Sequence, residues 1–122
     1  MNKEIEEFIK KYNAIKAIIH DLADKIIKNI PAEIEAETKK LRFRNGIQYK
    51  IFNPNGPDEW IDIKDIINNT EIAPYKRYKI LIEIADEIPA LLLACIDAIK
   101  ENNKKLAKLY TVLNNLKNNT FS

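Results

Sequence analysis

The chain has 122 residues with 20 basic and 18 acidic side chains, a net charge of +2. This length fits a single domain, and the near-neutral charge argues against nucleic-acid binding, for which a clearly basic domain is expected. The longest apolar run, Ile88 to Ile96, is far shorter than the roughly 20 residues that span a bilayer, so we expect no membrane segment. The N-terminus lacks an apolar signal core, and the one cysteine, Cys95, cannot form an intrachain disulfide, so we expect a reduced, cytoplasmic setting.

A long amphipathic helix is predicted at the start of the chain, over residues 3–29. Its apolar side chains alternate spacings of three and four residues, as in coiled coils and helix bundles. They are Ile5, Phe8, Tyr12, Ile15, Ile19, Leu22 and Ile26. Pro31 breaks the hydrogen bonding, and residues 32–40 predict further helix because acids come first and lysines last. We therefore expect a helix over residues 3–40 that is kinked at Pro31.

Residues 41–52 predict a β-hairpin in an otherwise helical chain. Asn45-Gly46 favours a two-residue type I′ turn, in which both positions need positive φ. With that turn Arg42 faces Tyr49, and side chains alternate between two faces. One predicted face carries Arg42, Arg44, Ile47, Tyr49 and Ile51, and the other carries Leu41, Phe43, Gln48, Lys50 and Phe52. We expect the second face to join the core and the arginine face to be free for a ligand.

A turn cluster and two short elements are predicted after the hairpin. Residues 53–58 are rich in proline, glycine and asparagine, and residues 59–61 predict a third strand. Asp62 is expected to N-cap a short helix over residues 63–68. The predicted fold class is α+β, predominantly α: one domain, 1–122, in which two long kinked helices flank a β-hairpin or three-stranded antiparallel sheet.

A second long helix is predicted over residues 75–117, opened by Pro74 at its first turn, where proline is tolerated. Pro89 lies inside the pattern and is expected to kink it, and Asn102 on the apolar seam is expected to set the register. The seam contains Leu81, Ile84, Ile88, Leu91, Cys95, Ala98, Leu106, Leu109, Leu113 and Leu116. Because one protomer cannot bury two such long stripes, we expect a homo-oligomer with a helical core, most simply a twofold dimer.

Residue patterns typical of catalysis or metal binding are not evident. The one histidine, His20, has no second ligand at metal-binding spacing, so we predict no metal site. The two glycines fall in turns rather than in a phosphate-binding loop. We therefore predict a protein without enzymatic activity and without a cofactor.

Arginine and aromatic side chains concentrate in the hairpin. Arg42 and Arg44 are two of only three arginines; guanidinium groups bind phosphate, and an aromatic face such as that of Tyr49 stacks a base. Arg77 begins the second helix, where free backbone N–H groups favour an anion. The predicted site for a nucleotide-like ligand comprises Arg42, Arg44, Asn45, Tyr49, Phe52, Asn53, Trp60 and Arg77. Alternatively, Arg and Tyr form ordinary cross-strand pairs, and Trp60 belongs to the core.

The hairpin Arg44-Asn45-Gly46, running into Phe52-Asn53-Pro54-Asn55-Gly56, resembles the small phage Thoeris anti-defence proteins of the first type. Chain length, an Ile-, Lys- and Asn-rich composition and long helices add to the resemblance. It implies a catalytically inert, symmetric oligomer in the host cytoplasm that sequesters cyclic ADP-ribose isomers, small nucleotide-derived signals of bacterial immunity. Arg, aromatic and Asn side chains at protomer interfaces would hold the ligand. The alternative is a protein-binding inhibitor or helical adaptor module of a bacterial defence complex.

Overall fold

The computed structural model describes residues 2–121 and confirms the predicted α+β class. It is mostly helical, with one small antiparallel sheet that has four strands rather than three. The elements in chain order are α1 Lys3–Asn29, β1 Ala36–Glu37, β2 Leu41–Phe43, β3 Ile47–Ile51, β4 Glu59–Asp62, α2 Ile63–Ile67 and α3 Pro74–Thr120.

Helix α1 begins at a capping asparagine and ends just before a proline. The Asn2 side chain accepts a hydrogen bond from the Glu4 backbone N–H, as N-cap residues do. Ile30 is already extended, and Pro31 has no N–H with which to continue the helix. The predicted continuation of the helix over residues 32–40 is wrong, because residues 36–37 form β1.

Strand β1 replaces the predicted helix because it completes the edge of the sheet. Ala36 lies opposite Phe43, and Glu37 lies opposite Arg42, so the outer edge of β2 is paired. The charge pattern that favoured a helix contributes only about 0.3–1 kcal/mol. Pairing of a strand edge and burial of Ile34, which is 7 % exposed, outweigh it.

The hairpin forms where predicted, but its register is shifted by one residue. Leu41 lies opposite Tyr49 and Phe43 lies opposite Ile47, so the loop has three residues, Arg44 to Gly46. A shift of one residue moves every side chain of one strand to the other face. The predicted arginine face, which included Tyr49, is therefore wrong. The observed register places four apolar side chains on one face, whereas the predicted register divides them between two: Leu41, Phe43, Ile47 and Tyr49.

The sheet has one packed face and one open face. Its strand order is β1-β2-β3-β4, with every pair antiparallel. The packed face meets α3, and the shared core also contains α2 and the second half of α1, since Ile19, Ala23, Ile26, Ile63 and Ile66 are all buried. Asp62 ends β4 and caps α2, because its carboxylate accepts a hydrogen bond from the Lys64 backbone N–H as predicted.

Helix α3 is 47 residues long and continues through Pro89 without interruption; the kink expected there remains a prediction. Its first half lies beside α1, where the rings of Phe8 and Tyr78 have centroids 5.7 Å apart. Its buried side chains are Leu81, Ile84, Ile88, Leu91 and Cys95. Every residue from 100 to 121 is exposed, so the second half projects from the body.

Within residues 2–121, no helix combines the length and the hydropathy required to cross a bilayer.

Candidate functional site

The open face of the sheet carries a tryptophan that contacts two cations. Trp60 on β4 lies opposite Lys50 on β3. The Arg42 guanidinium carbon lies 4.4 Å from the centroid of the Trp60 ring, and Lys50 Nζ lies 5.5 Å from it. Arg42 Nε also donates a hydrogen bond of 2.5 Å to Gln48. The arrangement is a cation–π stack, so Trp60 lies outside the core and its ring is already covered by protein cations.

The two hairpin arginines are accompanied by carboxylates. Arg44 Nε donates to Glu35 Oε1 at 3.0 Å, in an exposed ion pair. A concavity of about 330 Å³ lies beside it, lined by Glu35, Ala36, Glu37, Arg42, Phe43 and Arg44. Two carboxylates therefore face two guanidinium groups. A phosphate entering this concavity would be repelled by the acids, which weakens the prediction of a phosphate clamp at the hairpin.

Tyr49 lies on the packed face, away from Arg42, and its ring is only 7 % exposed. Its phenol donates a hydrogen bond of 2.5 Å to Glu83 of α3. Burial and this bond to the Glu83 carboxylate raise the pKa of the Tyr49 phenol. The phenol thus joins the sheet to α3, and the expectation that Tyr49 shares a ligand-facing surface with Arg42 is wrong.

The remaining predicted residues of the hairpin region have separate positions. Asn45 occupies the turn with φ of 57°, a left-handed conformation that asparagine tolerates. Phe52 follows β3 and is 74 % exposed. Asn53 organises the next loop, because its side chain accepts a hydrogen bond from Asn55 and its backbone N–H donates to Asp58.

A second concavity lies between the first half of α1 and the start of α3, and we call it the aromatic groove. Phe8 and Tyr12 stack with ring centroids 6.0 Å apart, and Tyr78 tilts against both rings. Lys16 Nζ lies 5.3 Å from the centroid of Tyr12. The groove has a volume of about 390 Å³ and is lined by Phe8, Tyr12, Lys16, Pro74, Tyr75, Arg77 and Tyr78.

Arg77 lines the aromatic groove and has a buried donor without a partner. Among residues 2–121, its buried Nε atom makes no hydrogen bond. The described lining includes Lys16 and no acidic side chain. A buried donor without a partner costs about 1–3 kcal/mol. The groove therefore combines aromatic surface with positive charge that no acidic side chain of the lining neutralises. This is the combination that was predicted for the hairpin.

The structure does not bring all predicted site residues together. Arg42 and Trp60 contact each other, and Arg44 lies beside Arg42 at the concavity. Arg77 belongs to the aromatic groove instead. The ring cluster of Phe8, Tyr12 and Tyr78 was not predicted. Two aromatics near Arg77 at the start of a helix, Tyr75 and Tyr78, were a usable signal for the groove.

Comparisons with known protein families, with curated proteins and with solved structures find no match to this chain. The resemblance to Thoeris anti-defence proteins thus remains a hypothesis that rests on the residues given above. In the described part of the chain, no group of three or more His, Cys, Asp or Glu side chains is arranged to hold a metal ion.

Proposed function

We propose that this protein is a non-enzymatic binding protein of the cytoplasm that sequesters a nucleotide-like anion, of the class of cyclic ADP-ribose isomers. The observation that supports the proposal is the aromatic groove, where the buried Arg77 Nε has no acceptor among residues 2–121. The ligand class comes from the resemblance to anti-defence proteins. Self-association as a homodimer or higher oligomer is part of the same proposal.

The chemistry of the groove suits a ligand with a flat ring and a phosphate. The rings of Phe8, Tyr12 and Tyr78 offer faces on which a base can stack. Arg77 and Lys16 supply the positive charge that a phosphate needs. A volume of about 390 Å³ lies within the range of about 300–1,000 Å³ common for small-molecule sites.

The first test is calorimetric titration with cyclic ADP-ribose isomers, linear ADP-ribose and cyclic dinucleotides. We expect one member of this panel to bind and to raise the melting temperature. Arg77→Met should weaken that binding at least tenfold, because a charge-assisted hydrogen bond contributes about 1.5–3 kcal/mol. No binding by any member of the panel would contradict the proposal.

Folding stability provides the internal control for Arg77→Met. Because the buried Nε has no hydrogen-bond partner without ligand, the free energy of unfolding of the variant should equal that of the wild type or exceed it by up to about 1 kcal/mol. Arg42→Met is the matched variant on the open face of the sheet, and it should leave binding unchanged. Binding lost in Arg42→Met and retained in Arg77→Met would place the site on the sheet.

A protein-binding inhibitor or helical adaptor of a bacterial defence complex is the second candidate. The exposed second half of α3 favours it, since Leu109 and Leu113 are 55 % and 62 % exposed. Affinity capture from a bacterial lysate, with wild-type protein and with Leu109→Lys, tests this role. A defence protein captured only by the wild type supports the adaptor function.

A further inference from the structure

The second half of α3 is a projecting helix that lacks cover within its own protomer. Residues 100–120 extend for about 30 Å, and all of them are exposed. Large apolar side chains follow one side: Leu106, Leu109, Tyr110, Val112, Leu113 and Leu116, each at least half exposed. Most helical stability in proteins comes from packing of an amphipathic face rather than from helix propensity, and such an apolar surface marks an interface. We call residues 100–120 the α3 arm.

A second exposed apolar stripe runs along the first half of α3, next to α1. It comprises the exposed Tyr78, Ile82, Pro89, Leu92 and Ile96 and the partly buried Ala85, spaced alternately four and three residues apart. Beside α1 it forms a groove of about 240 Å³ whose lining includes Ile15, Ile18, Leu22, Ala85 and Pro89. This groove is apolar, and its α3 wall consists of Ala85, Pro89 and the buried Ile88. We call it the aliphatic groove.

The exposed stripe on the first half of α3 and the α3 arm lie on either side of one point of the helix, and the large side chains of the arm are as far from that point as the small side chains of the stripe. We propose that two copies of this chain form a twofold dimer in which the α3 helices pack antiparallel, with the axis between Ile96 and Ile99. Each α3 arm then lies in the aliphatic groove of the other copy. Tyr110 meets Ala85 and Leu106 meets Pro89, so large side chains of the arm face small side chains of the groove.

Toward the end of the arm, the same register places Leu113 of one copy against Ile82 of the other. The end of the arm then lies beside Tyr78, at the border of the aromatic groove. The contact is isologous, because the same surface on both copies is used twice. It spans about 40 residues of each helix, of which about four in seven would contact the partner, a number similar to the about 20–30 residues a side of a standard stable interface.

Charge along α3 favours the antiparallel direction over the parallel one. Residues 80–99 contain four acidic side chains and no basic one, whereas residues 100–120 contain five lysines and one glutamate. Glu83 and Glu87 face the sheet, which leaves exposed Asp86 and Asp97 to meet a second copy. Antiparallel packing sets each acidic half beside the basic half of the other copy. Parallel packing would oppose like charges along the whole contact.

Cysteine cross-linking tests the direction, and sedimentation tests the stoichiometry. Ile82→Cys and Leu113→Cys are prepared as separate variants; native Cys95 is buried and does not take part. We expect each variant alone to stay largely uncross-linked after mild oxidation, and an equimolar mixture to form a disulfide-linked dimer. The two positions are about 46 Å apart along one helix, so the bond can form only between copies.

The outcomes separate the alternatives. Efficient cross-linking of Leu113→Cys alone would show a parallel coiled coil and overturn the proposal. Sedimentation equilibrium should give twice the protomer mass of 14.2 kDa, and Tyr110→Glu should raise the dimer dissociation constant at least tenfold. A wild-type monomer at micromolar concentration would also overturn the proposal. The inference rests on the self-association proposed above, and neither result depends on ligand binding at the aromatic groove, so failure of the dimer and failure of the ligand proposal are distinguishable.

Discussion

Tyr49 and Glu83 illustrate how single polar contacts hold the sheet to α3. The phenol of Tyr49 is buried in the core and donates to the Glu83 carboxylate at 2.5 Å. One helical turn later, Glu87 accepts from the Thr38 hydroxyl at 2.6 Å and from the Lys40 backbone N–H at 2.8 Å. Two carboxylates on one side of α3 therefore fix both β3 and the turn before β2, at positions where apolar contacts alone would allow sliding.

Removal of the Tyr49 hydroxyl should destabilise the fold in a pH-dependent way. At pH 7, Tyr49→Phe leaves Glu83 without its donor, and we expect a loss of about 1.5–3 kcal/mol, as for hydrogen bonds to charged groups. The measurement is the free energy of unfolding in urea. An equal midpoint for wild type and variant would show that the bond contributes no net stability.

The pH dependence follows from the raised pKa of Tyr49. The unfolded chain releases the phenolic proton near the ordinary tyrosine pKa of 10.0, while the folded protein retains it to higher pH. The contribution of Tyr49 is therefore complete below pH 10 and declines as the pH rises through that value. The stability gap between wild type and Tyr49→Phe should narrow above pH 10, and because the two proteins differ only in this hydroxyl, the difference isolates this phenol.

At the scale of elements, the hairpin loop fixes which side chains face the core. Arg44 N–H donates to the Gly46 carbonyl at 2.9 Å, and Gly46 has φ of 140°, a conformation that residues with a Cβ rarely adopt. The third loop residue is what moves Ile47 and Tyr49 to the same side as Leu41. The glycine thus determines the register on which the core depends.

Gly46→Ala should destabilise the protein by about 1–3 kcal/mol, because an alanine is strained at this φ. Gly56→Ala is the matched control: its backbone has no such positive φ, and an added Cβ would meet Asn53 at an ordinary 3.5 Å. Thermal melts of both variants compare the two loops. Equal melting temperatures would show that Gly46 is not a constraint on the hairpin.

Sequence patterns predicted long elements better than pairing partners. The periodic apolar residues predicted both long helices, and Asn45-Gly46 located the turn, because these signals are local. The register was not predictable from Asn45-Gly46 alone, since a third loop residue depends on burial of Ile47 and Tyr49 together. Arg77 was among the predicted site residues. Its position beside Phe8 was not predictable, because it depends on how α1 packs on α3.

At the scale of the whole molecule, the body and the α3 arm differ in how they are stabilised. The last buried side chain of α3 is Cys95, with Ala98 and Ile99 partly buried against the same core. From residue 100 onward no described side chain is buried. The body thus contains all of the intramolecular core, and the arm depends on contacts outside its own protomer.

A chain shortened to residues 1–99 should keep the body and lose self-association. We expect cooperative unfolding with native-like near-UV circular dichroism, together with sedimentation as a monomer. The physical reason is that residues 100–121 bury nothing within their own protomer. A shortened chain that fails to fold at any concentration would show instead that the body requires the second copy.

The buried thiol at the boundary between body and arm has a further consequence. Cys95 is 0 % exposed, and burial raises the pKa of its thiol. A thiol reagent can therefore modify it only when α3 separates locally from α1 and the sheet. The rate of that modification therefore measures how often the structure opens at this boundary. It can be measured in unlabelled protein, and a ligand or partner that binds the helices should lower it.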